Sequence, residues 1–306
     1  ANGSQLVFTT QPSANGTAGA DLAQTPVITI RDSNGNTATN ASDSITLLGF
    51  SDTSCLSPVL GGLSATTNPL AATAGVASFA AVKVLKTNVI RIQANGVGLF
   101  SACSNPVAIA AGAPATFSIS TGDAQTGTAN TALANPFVAL VQDAQANAVP
   151  GISVAWTVLT GNGSLSSASN STISTGLSSS TLTLGSVVGA NSALASISGL
   201  PTLTFSATAV AGAPTQLAFT TQPAANGTAG ADLAQFPVIT LRDASGNTSL
   251  TATNSVSLQG FSDTSCALPV SGGLTATANP LAATAGIASF AAVKILKTNV
   301  IRIQAT

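Results

Sequence analysis

Histidine, methionine, tyrosine and glutamate are missing from all 306 residues, and tryptophan occurs once. Without histidine, no side chain has an ordinary pKa near neutrality, and the nine acidic groups are all aspartates. A general base would have to be a tuned aspartate, lysine or cysteine, and a serine nucleophile would find no imidazole to take its proton. No glycine-rich phosphate loop opens a helix. The sequence therefore reads as a non-enzyme, with no catalytic residues, no cofactor-binding residues, no metal ligands and no cofactor.

Charge is scarce as well. Charged residues make up 6% of the chain, against roughly 25% in an average soluble domain. Eight scattered bases and a net charge of −1 give no electrostatic footprint for nucleic acid or for an anionic membrane. No apolar run reaches the length needed to span a bilayer, so no membrane insertion is expected in this segment. The chain opens Ala1, Asn2, Gly3, Ser4, without an initiator Met or a charged leader. We read it as a piece of a longer exported polypeptide, located outside the cell or on its surface. Serine, threonine, asparagine and glutamine must then supply solubility.

What is present is repetition. "FTTQPSANGTAGADLAQ" at residues 8–24 returns as "FTTQPAANGTAGADLAQ" at residues 219–235. Residues 4–95 align with 215–306 without a gap, and roughly three quarters of the positions are identical. A match of that kind marks duplication of a whole folding unit. Between the copies, "AGAP" stands at Ala111–Pro114 and again at Ala211–Pro214, marking two unit starts. The expected domains are 1–112, 113–211 and 212–306, in the order A, B, A′.

Each unit alternates apolar and polar residues in short runs. Ile152, Val154, Trp156 and Val158 lie on one side of a period of two, and Leu6 with Phe8, Ile28 with Ile30, and Ile90 with Ile92 repeat it. Such alternation buries one face of a strand. No window sustains helical spacing, and 28 Gly with 14 Pro punctuate the chain. The predicted fold is all-β: three tandem antiparallel β-sandwiches of the immunoglobulin-like kind. The short "AGAP" linkers place them end to end as a rod of about 120 Å, at about 3.3 Å per strand residue.

The middle unit resembles the bacterial immunoglobulin-like domains of the invasin and intimin adhesins. The matching stretches are "NPFVALVQDAQANAVPGISVAWTV" (Asn135–Val158), "GNGSLSS" (Gly161–Ser167) and the run Leu182–Ala209. Where that family has a Gly-Asn-Pro turn, this chain has Ala146, Asn147 and Ala148. The outer units resemble related bacterial repeats that open "LVFTTQP" and carry an "RDxxGN" hairpin, here Arg31–Asn36 and Arg242–Asn247. The resemblance implies a cell-surface setting, with such domains serving mostly as spacers or stalks in adhesins.

Three cysteines remain to be placed. Cys266 corresponds to Cys55, and the counterpart of Cys103 would fall at position 314, past the last residue. A structural disulfide between Cys55 and Cys103 is expected in an exported chain, closing a loop worth roughly 4 kcal/mol in the simple chain-entropy picture. Three cysteines without histidine make no zinc site.

Other residues carry a functional reading beside a plainer one. Asp32, Asn34 and Asn36 offer alternating oxygens for calcium, but Ser245 replaces Asn34 in the third unit, and a hairpin turn is the plainer account. Arg31 and Arg91 lie on the strand faces opposite Ile30 and Ile92, and Arg242 and Arg302 repeat them, as contacts for a partner or, more plainly, as solvated cross-strand charges. Lys83 and Lys86 lack the buried acid that an isopeptide link needs. Asn15, Asn40, Asn162, Asn170, Asn226 and Asn247 stand in glycosylation patterns, most of them expected by chance in so polar a chain.

The leading function is structural: a stiff spacer in the stalk of a bacterial surface adhesin or in an extracellular fibre. Its partners are neighbouring copies or domains of the same protein, and a host or environmental surface or glycan. The alternatives are a glycan- or receptor-binding module built from loops at a domain end, and a strand-donating subunit of a self-assembling filament. Sugar sites present aromatic platforms, and the alternation sends the lone Trp156 inward. Ice or mineral binding would need a threonine ladder, for which "TLTL" (Thr181–Leu184) is too short. The third unit lacks the counterpart of Gly98–Pro114, so an open edge is expected there, closed either by continuation of the chain, which is favoured, or by a strand from a neighbour.

Overall fold

The computed structural model describes residues 2–306. Every regular element among them is a β-strand, as the alternating pattern and the absence of helical spacing require. The strands divide into immunoglobulin-like sandwiches built around three separate apolar cores.

In the first unit one sheet joins Gln5–Thr10, Val27–Arg31 and Val76–Ser78, and a second joins Ala102–Cys103, Arg91–Gly96, Ser44–Phe50 and Leu70–Ala71. Period-two alternation turns Leu6, Phe8, Ile28 and Ile30 of the first sheet toward Ile45, Leu47, Ile92 and Ala94 of the second. These inward residues meet in one core, and Ile28, Ile30, Ile45 and Ile92 are wholly buried. The last strand of the unit, Ala108–Ala110, runs parallel to Asn15–Thr17 and brings Val107 and Ile109 under the same core.

The middle unit follows the same plan with different residues. Thr116–Thr121, Phe137–Gln142 and Leu177–Ser180 face a five-stranded sheet whose long strands are Ser153–Thr160, Gly189–Ser196 and Leu203–Val210. Its core holds three aromatics in contact: Phe205 lies 4.8 Å from Phe137 and 5.4 Å from Trp156 between ring centroids. Trp156 is 2% exposed, so the alternation placed it correctly and its ring offers no platform to a sugar.

All three units carry a β-bulge two-thirds of the way along the first strand, at Phe8/Thr10, Ile119/Thr121 and Phe219/Thr221. The bulge occurs in the middle unit although its sequence there differs. It therefore belongs to the architecture, as a device that twists an edge strand.

Candidate functional site

The hairpins Asp143–Asn147 and Asp243–Asn247 sit at the junctions between successive units. At the first junction, the linker amide of Gly112 donates to Asp143 Oδ2 at 2.8 Å. The other carboxylate oxygen, Oδ1, accepts from the Gln145 and Asn147 amides at 2.9 and 2.8 Å. The Asn147 side chain then faces both ways. Its Nδ2 donates to Asp143 Oδ2 at 2.9 Å and to the carbonyl of Leu85 in the preceding unit at 2.9 Å, while its Oδ1 accepts from the Thr87 amide at 3.2 Å. Lys86 Nζ reaches across to the carbonyl of Gln145.

The second junction repeats the arrangement. Gly212 donates to Asp243 Oδ2 at 3.0 Å, and the Ser245 and Asn247 amides donate to Oδ1 at 2.9 Å each. Asn247 Nδ2 donates to the Ser186 carbonyl at 2.8 Å and Oδ1 accepts from Val188 at 3.3 Å. Ser249 Oγ adds a bond to the Gly212 carbonyl at 2.7 Å. One carboxylate thus holds the linker, and one carboxamide holds the loop of the unit before. In the first unit the same hairpin closes on itself, with Asn34 and Asn36 amides both 2.9 Å from Asp32 Oδ1.

These aspartates are ionised anchors. Burial of Asp143 opposes ionisation, but donors from Asn147, Gly112 and Gln145 outweigh it and hold the carboxyl below its ordinary range. Asp243 is held down in the same way against its burial, by Gly212, Asn247 and Ser245. For Asp32 the Asn36 amide is the main cause of the lowering. Such N–H to carboxylate bonds are stronger than neutral ones. The turn itself needs a left-handed residue: Gly35 and Gly246 supply it at φ of 84° and 85°, and in the middle unit Ala146 takes it at 59°. The departure from the invasin-like turn is therefore absorbed at Ala146 without loss of the hairpin.

The second feature is a groove. In the third unit, a cavity of about 890 Å³ opens between Leu217 and Phe219 on one sheet and Ile303 and Ala305 on the other, with Cys266 on its wall. In the first unit that space is filled by the segment ending at Ala110, and Cys55 is bonded to Cys103 with Cα atoms 6.5 Å apart. Cys266 is a free thiol, half-buried.

The remaining candidates are placed as follows. Lys83 pairs with Asp21 at 4.0 Å and Lys294 with Asp232 at 3.9 Å, the lysines half-buried and the aspartates exposed, while Arg91 donates to the Ser104 carbonyl at 2.6 Å. Among the described residues, no three His, Cys, Asp or Glu side chains gather where a metal would bind. The hairpin motif was visible in the sequence as a turn, but not as a joint. The available signal was a spacing: the "AGAP" glycine precedes its aspartate by 31 residues at both junctions.

No family model and no curated protein matches the chain. Among solved structures it is similar to FdeC, an Escherichia coli adhesin, at 17% identity and a TM-score of 0.49, covering 99% of this chain and 96% of that one. It is also similar to Yersinia pseudotuberculosis InvD at 15% identity and 0.43, covering 99% and 90%. Domains 4 and 5 of the S-layer protein SbsC align at 14% identity and 0.31, covering 68% and 97%.

Proposed function

We propose that the chain is a stiff spacer in a bacterial surface adhesin stalk or extracellular fibre, its units 1–112, 113–211 and 212–306 set in series. The observation that carries this reading is the joint built twice from the same parts: aspartate to linker glycine, asparagine to the preceding loop. A joint anchored on both sides of a short linker resists bending, because rotation of one unit must break several bonds together; at the first junction they join the buried Asn147 to the half-buried Leu85 and Thr87, and at the second they join the half-buried Asn247 to the exposed Ser186 and Val188. Pro114 and Pro214 further fix the backbone where each new unit begins. Its partners are the adjoining domains of the same protein, and its setting is outside the cell.

Backbone ¹⁵N relaxation of the full chain tests the reading. If the joints are stiff, the three units share one rotational correlation time, and N147A with N247A splits it into unit-specific values. Independent tumbling of the units in the unaltered chain would overturn the proposal.

A further inference from the structure

The two joints share a plan but differ at one pair of positions, and the difference runs in opposite directions. On the leading side, each joint has a left-handed residue whose backbone amide donates into the segment before the joint loop. Gly19 donates to the Val84 carbonyl at 2.9 Å and Asn130 to the Gly185 carbonyl at 3.0 Å, with φ of 82° and 62°. Gly19 and Asn130 are therefore counterparts. On the following side, Gln145 and Ser245 are counterparts, since each donates its backbone amide to the hairpin aspartate at 2.9 Å.

At the first joint the leading residue is small and the following one is long. A Cβ placed on Gly19 would lie 2.7 Å from Cδ, Oε1 and Nε2 of Gln145, closer than such atoms pack. The bare glycine leaves the space that the Gln145 side chain takes, and Gln145 is half-buried there. Lys86 closes over it by donating its ammonium to the Gln145 carbonyl. At the second joint the sizes are exchanged. The leading unit presents Asn130 and the following hairpin only Ser245, both exposed. Between Ser186 and Val188, which bond Asn247, the place of Lys86 is taken by Val187, whose side chain has no proton to donate.

We propose that this pair of positions sets the order of the units. The end of an A unit, with Gly19 and Lys86, receives a hairpin with glutamine at its centre. The end of the B unit, with Asn130 and Val187, receives one with serine. Two B units in succession would set an asparagine and a glutamine in one space, and tight packing makes that costly. An A unit before a serine-bearing hairpin would leave the space beside Gly19 unfilled and lose contacts without a clash. Discrimination thus comes mainly from a penalty on the wrong neighbour. The inference rests on the reading of these joints as the contacts that hold the units in series.

The test uses the full chain and reads the Thr87 amide, which donates to Asn147 Oδ1 across the first joint. Asparagine is the probe at position 19 because Asn130 already holds the left-handed conformation there. G19N should speed hydrogen exchange at Thr87 at least about tenfold, while exchange at the residue 19 amide reports whether its own turn survives. G19N with Q145S restores one long and one short side chain, and should return Thr87 to within about threefold of the unaltered chain. At the second joint, S245Q should speed exchange at Val188, and N130G with S245Q should reverse it. No effect of G19N at Thr87, or a double variant as fast as G19N alone, would overturn the proposal. A Thr87 amide already unprotected in the unaltered chain would overturn the joint itself, and this inference with it.

Discussion

The outer units spell nearly the same sentence, yet one is closed and the other open. Ile92 and Ile303 occupy equivalent strands, and only Ile92 is sealed from water. The difference lies in residues 99–109, which follow Ile92 closely in the first unit and cover both it and the distant Leu6, so the same local text is buried differently in the two units. Strand propensity fixes where chain becomes extended, but the completeness of a sandwich depends on the strand that closes it.

The largest effect expected from breaking this contrast is removal of the covalent closure. C103S should cost the first unit about 4 kcal/mol in the loop-entropy picture, and bring its resistance to urea toward that of the third unit. Unit-resolved hydrogen exchange reads this directly. Next comes the core beneath the closing strand: I92A should cost about 3 kcal/mol, but I303A only about 1 kcal/mol, since a half-exposed side chain loses less burial and leaves no sealed cavity. Equal losses would mean that the groove is filled in solution.

The joints allow a comparison of a different kind. N147A should weaken the contact between the first two units by about 2 kcal/mol, because it removes bonds shared with Asp143, Leu85 and Thr87. N36A alters an exposed hairpin and should change stability by less than about 0.5 kcal/mol. Exchange protection of the Thr87 amide separates the two outcomes.

Acid should act on both outer units alike. Asp52 and Asp263 are each held at about 2, the first by Leu56, Ser57 and Ser54 amides against its desolvation, the second chiefly by the Ser265 hydroxyl and the Leu268 amide. Both values lie below the ordinary value of about 3.9. Their contribution to the folded state is therefore complete above about pH 4 and is lost as the pH falls toward 2. Exchange at the loops 52–57 and 263–268 should rise together across that window; a rise in one unit alone would contradict the shared geometry. A small effect of the opposite sign is expected at the turn: A146G should stabilise the middle unit by about 0.5–1 kcal/mol, since Ala146 holds a left-handed conformation that glycine adopts freely.

Much of this architecture was legible in the residues. Alternation located the long strands and turned Trp156, Leu182 and Phe205 inward. Cysteine count and offset identified the bonded pair and the odd thiol. Two-residue strands such as Leu63–Ser64 and Lys83–Val84 were not legible, being too short to show a period. The joints were hidden for another reason. Asn147 meets Leu85 and Thr87 about sixty residues away, and a few hydrogen bonds between surface groups leave no pattern in composition. The hairpin was read as a turn, which it is, and its second use appears only when two units are placed side by side.

The central claim, that the units stand in fixed series, is tested most directly by small-angle X-ray scattering of the full chain. A stiff three-unit rod predicts a longest dimension of about 120 Å, at about 3.3 Å per strand residue, with a pair-distance profile that N147A and N247A together broaden. A profile that ends at roughly half that length, or one unchanged by the double substitution, would contradict it.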